Sequence, residues 1–259
     1  MQRHEIIATI GPASEDKETL SAFIDAGMTI ARLNFSWQTP VTAAPYVEMI
    51  RSCAAEKGKK ISLMQDLSGP RVQTTTGHHL DVNAEEVLTE KDMSDLSYGI
   101  DAGIEYIAIS FVGSREPIDR VRAVINDSGS TARIVAKIER REALEHLDEI
   151  IDAADVVMVA RGDLGDAVPI EEVPFIQHKI IKHCHAAGKP VIVATQMLLS
   201  MTEHDIPTRA EVSDVAYAIV DGATGVMLSE ETAQGKHPVE AVKIMRRIVD
   251  CAEKHLQIA

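Results

Sequence analysis

A chain of 259 residues, 45% hydrophobic and 25% charged, has the size and composition of one globular domain, and we expect a single domain over residues 1–259. A formal net charge of −14 argues against nucleic acid and membrane surfaces as partners. Three cysteines without a CxxC pair predict neither a disulfide framework nor a zinc site, and no apolar run approaches the roughly 20 residues of a membrane span, so we expect a cytoplasmic protein.

Eight short β-branched runs alternate with helical patterns along the chain. The runs are apolar throughout, as strands covered on both faces of a parallel sheet are. They lie at residues 5–9, 29–33, 61–65, 106–110, 133–138, 156–159, 191–195 and 226–229. Helices are predicted at 15–26, 41–57, 90–102, 115–127, 141–153, 172–187, 209–221 and 238–256.

Eight strand–helix units with short connections predict an α/β fold, a single (β/α)8 TIM barrel, with an open doubly wound sheet as the alternative. One connection is longer than the others, because residues 68–87 separate the third strand from its helix. Long loops in compact domains are usually functional. We predict that this segment forms a small hairpin that turns near Gly77.

Polar residues follow the strands at the end where a β/α barrel carries its active site. Glu139 and Asp163, after the fifth and sixth runs, offer oxygen ligands for Mg²⁺ or Mn²⁺, which would polarise a 2-oxo acid and neutralise its enolate. Lys137 points the same way as Glu139 and can donate a proton or stabilise negative charge. A plain salt bridge between Lys137 and Glu139 is an alternative that these two residues alone leave open.

The segment 161–165 allows two interpretations as well. The backbone N–H groups of Gly162 and Asp163 can begin a helical turn that faces a carboxylate or a phosphate, or they can simply lead the chain into a helix.

Longer motifs occur in the order and with the spacing of one enzyme family. From about residue 5 to residue 250, the chain resembles pyruvate kinase. The motifs that carry the resemblance are Thr9-Ile-Gly-Pro-Ala-Ser14, Asp25-Ala-Gly-Met28, Arg32-Leu-Asn-Phe-Ser36, Val159-Ala-Arg-Gly-Asp-Leu-Gly165, Ala187-Gly-Lys-Pro190, Ala194-Thr-Gln-Met197 and Pro207-Thr-Arg-Ala-Glu211.

The resemblance implies roles for residues of the site. Lys137 matches the catalytic lysine beside the transferred phosphoryl group, and Arg32 matches the phosphate-binding arginine. Glu139 and Asp163 match the two ligands of the divalent metal.

Further residues match the substrate and potassium sites of the family. Thr195, with the backbone of Gly162 and Asp163, matches the region that binds the substrate carboxylate and delivers the proton. Three of the family's potassium ligands match Asn34, Ser36 and Asp66. The predicted helix at 172–187 and the loop at 202–210 resemble a subunit contact, so we expect a homo-oligomer.

Several departures from the family pattern affect the nucleotide site. The family inserts a lid domain after the third strand, where this chain has only residues 68–87, and we also expect no C-terminal domain and no allosteric control. Leu67 replaces a potassium-ligand threonine, Gln73 replaces an arginine that contacts phosphates, and Trp37 replaces a histidine. Arg71, two residues from Gln73, is a candidate substitute for the lost arginine.

Groups that serve metal and enolate chemistry are therefore present, whereas several that serve the nucleotide are absent. Our first interpretation is a magnesium-dependent enzyme that acts on pyruvate, phosphoenolpyruvate or a related 2-oxo acid by lyase or decarboxylase chemistry, such as oxaloacetate decarboxylation or pyruvate aldol cleavage. The alternative is a lid-less pyruvate kinase that transfers phosphoryl from phosphoenolpyruvate to ADP. A third hypothesis is a non-catalytic ligand sensor, or a subunit that a partner completes.

Overall fold

The computed structural model describes residues 4–73, 78–81, 84 and 86–256. The strands within these residues are β1 (Glu5–Thr9), β2 (Ile30–Asn34), β3 (Ser62–Asp66), β4 (Arg71–Gln73), β5 (His78–Leu80), β6 (Tyr106–Ile109), β7 (Arg133–Ile138), β8 (Val156–Ala160), β9 (Val191–Ala194) and β10 (Gly225–Leu228). The helices are α1 (Lys17–Ala26), α2 (Pro40–Glu56), α3 (Glu90–Asp101), α4 (Glu116–Asp127), α5 (Glu142–Glu145), α6 (Leu147–Ala153), α7 (Arg161–Ala167), α8 (Val173–Ala186), α9 (Arg209–Asp221), α10 (Glu230–Ala233) and α11 (Pro238–Leu256).

Eight parallel strands close into a barrel in the order β1-β2-β3-β6-β7-β8-β9-β10, and β10 pairs with β1. Closure confirms the predicted α/β barrel and excludes the open doubly wound sheet. The strands lie within one or two residues of the predicted runs, since an apolar run ends where the chain leaves the barrel wall.

Side-chain alternation along the strands divides the apolar residues into two cores. Ile6 and Ala8 of β1 belong to the larger core between strands and helices, whereas Ile7 belongs to a smaller core inside the barrel. The inner core takes its buried members from the strands alone: Ile7, Ile30, Met64, Ala108, Val135, Val156, Met158, Ile192, Ala194 and Met227. Every second residue of a strand therefore faces the barrel axis.

The helices agree closely with the predicted segments, with one exception. The segment predicted as one helix at 141–153 forms α5 and α6, which are separated by His146 at φ −110° and ψ 19°. The short helix α7 follows β8 directly, where a helical turn was one of the two interpretations of residues 161–165. The short helix α10 begins after Ser229 and was not predicted.

A hairpin leaves the barrel after β3, as predicted. β4 and β5 pair in antiparallel register, with Arg71 opposite Leu80. At its base, the backbone N–H of Asp81 donates a hydrogen bond to the carbonyl of Pro70 at 2.8 Å. The predicted turn at Gly77 lies outside the described residues. Among the helices of the described part of the chain, none combines the length and the apolar character needed to cross a bilayer.

Candidate active site

Five neighbouring strands bring polar side chains to one layer at the carboxyl end of the barrel. On β1, β2, β3, β6 and β7, an inner-core residue is followed two positions later by a polar residue, and alternation directs both toward the axis. The polar residues of this layer are all buried, and they are Thr9, Arg32, Asp66, Ser110 and Lys137. Glu139, two residues beyond Lys137, is buried as well.

The carboxylate of Asp66 lies between two cations. Its Oδ2 accepts a hydrogen bond from Arg32 Nε at 2.7 Å, and its Oδ1 accepts one from Lys137 Nζ at 3.0 Å. Burial alone would raise the pKa of Asp66, but the charges and hydrogen bonds of Lys137 and Arg32 together outweigh burial and lower this pKa to about 2. Asp66 is therefore ionised at neutral pH and holds the two cations side by side.

Three oxygen acceptors surround the ammonium group of Lys137. They are Asp66 Oδ1 at 3.0 Å, Ser110 Oγ at 2.7 Å and Glu139 Oε1 at 2.9 Å. The Ser110 hydroxyl donates its proton to the carbonyl of Leu67 at 2.8 Å, which leaves its lone pair for Lys137. Because an ammonium group has three N–H donors, this arrangement fixes the position of Lys137.

Glu139 and Asp163 lie close to the same cation, Arg71 of β4. Arg71 Nη2 is 3.7 Å from Glu139 Oε1 and 3.3 Å from Asp163 Oδ2. Burial raises the pKa of Glu139, Lys137 opposes that shift, and the negative charge of Asp163 adds to it. Two neighbouring carboxylates that offer oxygen donors fit a hard divalent cation such as Mg²⁺ or Mn²⁺.

A second group of residues lies at the carboxyl ends of β8 and β9. Arg161 and Gly162 directly precede Asp163 in the chain, and Thr195 follows β9. A Cβ atom on Gly162 would approach Thr195 Cγ2 to 2.9 Å, so the absence of a side chain allows this close contact. Thr195 has a φ of +75°, and Arg161 Nη2 donates to its carbonyl at 2.8 Å while Arg161 Nη1 pairs with Asp214 at 2.7 Å. Arg161 thus holds the strained backbone of Thr195 in place. The expected helical turn at Gly162 and Asp163 is present as the start of α7.

The residues expected to bind potassium are only partly brought together. Asn34 and Asp66 are register partners on β2 and β3. However, Asn34 Oδ1 accepts a hydrogen bond from the backbone N–H of Ser36 at 3.1 Å, and both oxygens of Asp66 are engaged by cations. Leu67 is buried and brings no side-chain oxygen to this region. Potassium binding stays a prediction.

Comparison with known proteins identifies the family. A family model for the barrel domain of pyruvate kinase matches residues 1–86 and 76–242. The chain belongs to the pyruvate kinase family. It is 36% identical to the pyruvate kinase of Sporosarcina psychrophila over 96% of this chain, 35% identical to that of Thermococcus litoralis over 97%, and 35% identical to pyruvate kinase 2 of Synechocystis over 98%.

The match covers most of this chain but a smaller share of the relatives. It spans 56% of the Sporosarcina pyruvate kinase, 70% of the Thermococcus protein and 57% of the Synechocystis protein. The alignments run over 331 to 337 positions, which exceeds the 259 residues of the chain. The pyruvate kinase model matches this chain in two segments, which overlap at residues 76–86. The alignment with the family is therefore interrupted near the hairpin. The names of the relatives favour phosphoryl transfer over the lyase chemistry of our first interpretation.

Two residues of the site, Ser110 and Phe111, were not identified from the sequence. Ser110 ends the fourth apolar run, and reading that strand end like the other seven would have found it. Phe111, at a φ of +56°, donates its backbone N–H to Glu139 Oε2 at 2.6 Å, and its ring lies 4.5 Å from the Arg71 guanidinium. Nothing in the sequence pattern signals this role of Phe111, because it depends on the path of the backbone after β6.

Proposed function

We propose that this pyruvate kinase barrel catalyses magnesium-dependent phosphoryl transfer between phosphoenolpyruvate and ADP. One observation carries the proposal: the Asp66 carboxylate holds Arg32 and Lys137 side by side, each within 3.0 Å of one of its oxygens. Phosphoryl transfer depends on positioning and charge neutralisation, and two fixed cations offer both to a group with several anionic oxygens.

The charges of the site support a metal-dependent reaction. Glu139 and Asp163 would hold Mg²⁺ or Mn²⁺, which would neutralise charge on the enolate and phosphoryl oxygens. Lys137 would exchange one of its three acceptors for an oxygen of the transferred group. Arg32, which also donates to Thr9 Oγ1 at 2.9 Å, would bind the phosphate from the neighbouring strand.

The other side of the site would bind the carboxylate end of the substrate. The backbone N–H groups at Gly162 and Asp163 begin α7, and the carbonyl of Thr195 is held by Arg161. Thr195 would lie beside the methylene carbon that gains a proton when enolpyruvate becomes pyruvate. The resemblance in the motifs around these residues supports this orientation. Potassium at Asn34, Ser36 and Asp66 stays a prediction, because the oxygens of Asn34 and Asp66 accept hydrogen bonds within the protein.

A second candidate function is lyase chemistry on oxaloacetate. It is favoured by the hairpin of β4 and β5, which stands where the family inserts a lid domain, because phosphoryl transfer benefits from exclusion of water. Decarboxylation of a metal-bound oxo acid needs Glu139, Asp163 and Lys137, with no nucleotide.

A paired assay distinguishes the two functions. Purified protein with Mg²⁺, with and without K⁺, is supplied with phosphoenolpyruvate plus ADP in one arm and with oxaloacetate alone in the other, and pyruvate is followed in both. We expect ADP-dependent turnover that falls by roughly 100-fold or more in Lys137→Met, because a positioned cation beside developing charge contributes on that order. Lys182→Met, an exposed lysine of α8, is the matched control. Turnover of oxaloacetate without any ADP-dependent reaction would replace the kinase proposal by the lyase one.

A further inference from the structure

Arg71 stands out because it belongs to the hairpin but its side chain lies in the barrel mouth. The side chain is only 13% exposed, although Val72, the next residue of β4, is exposed. Arg71 Nε donates to the carbonyl of Ser68 at 2.9 Å, and the guanidinium lies 4.5 Å from the centre of the Phe111 ring. A backbone acceptor and an aromatic face thus direct the cation inward.

Arg71 contacts the two carboxylates at longer distances than a tightly bound cation would. Its distances to Asp163 and Glu139 are 3.3 and 3.7 Å, longer than the 2.7–2.9 Å of a tight charge-assisted hydrogen bond. The other two cations, Arg32 and Lys137, are bound to Asp66 at 2.7 and 3.0 Å. Lys137 also lies 2.9 Å from Glu139 Oε1, but Asp66 and Ser110 hold it in place, whereas Arg71 contacts both Glu139 and Asp163. If a divalent cation binds to Glu139 and Asp163, Arg71 is therefore the positive group that has to move.

The charge balance of the site indicates where Arg71 would go. Arg32, Lys137 and Arg71 balance Asp66, Glu139 and Asp163 one for one. A divalent cation adds two positive charges, and the site then favours an anion with at least two negative charges. A guanidinium group repelled by the metal and presenting a planar fork of donors is suited to bind such an anion through two oxygens, as in a phosphate.

We propose that Arg71 is a specificity-determining residue that competes with the divalent cation for Glu139 and Asp163 and, once displaced, binds the phosphoryl end of the substrate. This inference rests on the proposed function in taking the substrate to be phosphorylated.

Two binding measurements test this role without relying on turnover. Free Mn²⁺ is measured by electron paramagnetic resonance during titration of wild-type protein, Arg71→Met and Arg71→Lys. Phosphoenolpyruvate and oxalate, a planar dianion without a phosphoryl group, are then titrated calorimetrically into the Mn²⁺-loaded proteins. Arg247→Met, an exposed arginine of α11, is the control for loss of one positive charge.

We expect Arg71→Met to bind Mn²⁺ about three- to ten-fold more tightly than wild type, because a competing charge is gone. The same variant should bind phosphoenolpyruvate roughly 10- to 100-fold more weakly, with little change for oxalate, because only the phosphoryl contact is lost. Arg71→Lys should keep the wild-type Mn²⁺ affinity but should not restore phosphoenolpyruvate binding, since an ammonium lacks the planar fork.

Equal Mn²⁺ affinities in wild type and Arg71→Met would overturn the competition, and equal losses for phosphoenolpyruvate and oxalate would overturn the specificity. Both results can be distinguished from a failure of the proposed kinase function. A wild-type protein that shows no ADP-dependent turnover, but whose Mn²⁺ and phosphoenolpyruvate binding depends on Arg71 as expected, would refute the kinase reaction and leave the role of Arg71 standing.

Discussion

Asp66 is the residue on which the geometry of the cations depends. It is buried, and it pairs with Arg32 and Lys137 through different oxygens. The pKa of Asp66 is about 2, below the ordinary value of 3.8. A carboxylate with a lowered pKa stabilises the fold fully above its ordinary pKa, so this contribution is present at neutral pH and is lost only as the pH falls toward 2.

Asp66→Asn should be strongly destabilising. The change leaves two buried cations without their shared counter-charge, for which we expect a loss of about 3–5 kcal/mol in the free energy of unfolding. Urea unfolding at pH 7, followed by circular dichroism, measures it. Asp25→Asn, which removes an exposed partner of Lys57, should leave the midpoint unchanged, and an equally small shift for Asp66→Asn would contradict the expectation.

At this scale, the sequence predicts which residues lie at the site better than it predicts their contacts. Lys137 and Glu139 could be placed because a strand alternates with period two, whatever the rest of the fold does. The contact of Arg71 with Asp163 could not be predicted, since the hairpin meets the barrel mouth through contacts with Ser68 and Phe111.

At the scale of elements, the start of α9 is tied to the preceding turn by one carboxylate. Glu211 accepts hydrogen bonds from the backbone N–H groups of Ser200 and Thr208, both at 2.7 Å, and from both hydroxyl groups. Burial opposes ionisation, but these hydrogen bonds outweigh it and lower the pKa of Glu211. Glu211 therefore stabilises the fold at neutral pH, and this contribution is lost when the pH falls below its ordinary range.

Glu211→Ala should lower the free energy of unfolding by about 1–3 kcal/mol, because it removes the reciprocal cap of α9 and leaves the Ser200 backbone N–H without its acceptor. The difference from wild type should stay constant down to about pH 5 and should shrink as the pH falls from there toward about 3, because an ordinary glutamate titrates at about 4.3 and the lowered pKa of Glu211 lies below that value. Thermal unfolding across this range measures both effects. Glu240→Ala, in the exposed first turn of α11, is the control, and equal effects at the two sites would argue against the cap.

The limits of most helices were predictable because caps and turn residues mark them. Thr208 and Glu211 bracket the start of α9, and Gly222 ends it with a φ of +112°. The interruption of the segment 141–153 was not predictable in the same way. His146 is neither glycine nor proline, and its conformation is a property of the packed chain rather than of a local signal.

At the scale of the whole molecule, one side of the barrel presents large apolar side chains to solvent. Phe175 of α8 is 75% exposed, and Tyr217 of α9 is 64% exposed. The two helices are neighbours, since His178 contacts Asp221. Large apolar side chains exposed on neighbouring helices favour an interaction site, and we propose that a second copy of this chain covers them, in line with the expected homo-oligomer.

The double variant Phe175→Ser/Tyr217→Ser should shift the protein to a smaller species in sedimentation velocity, because it removes apolar area from both helices of the proposed contact. Val41→Ser, at an exposed apolar position of α2, should leave the sedimentation coefficient unchanged. If wild type and the double variant sediment alike over a wide concentration range, this face does not join copies of the chain.

The base of the hairpin has a consequence for how the family can change. Pro70 and Asp81 are joined by a backbone hydrogen bond of 2.8 Å, so the chain leaves the barrel and returns to it at almost the same point. The segment between Pro70 and Asp81 can therefore change in length without changing the distance between β3 and α3. A domain can therefore be inserted or lost at this position without changes to the strands of the barrel. The same property makes it the place to install a lid from a longer relative and to ask what enclosure adds to the chemistry below.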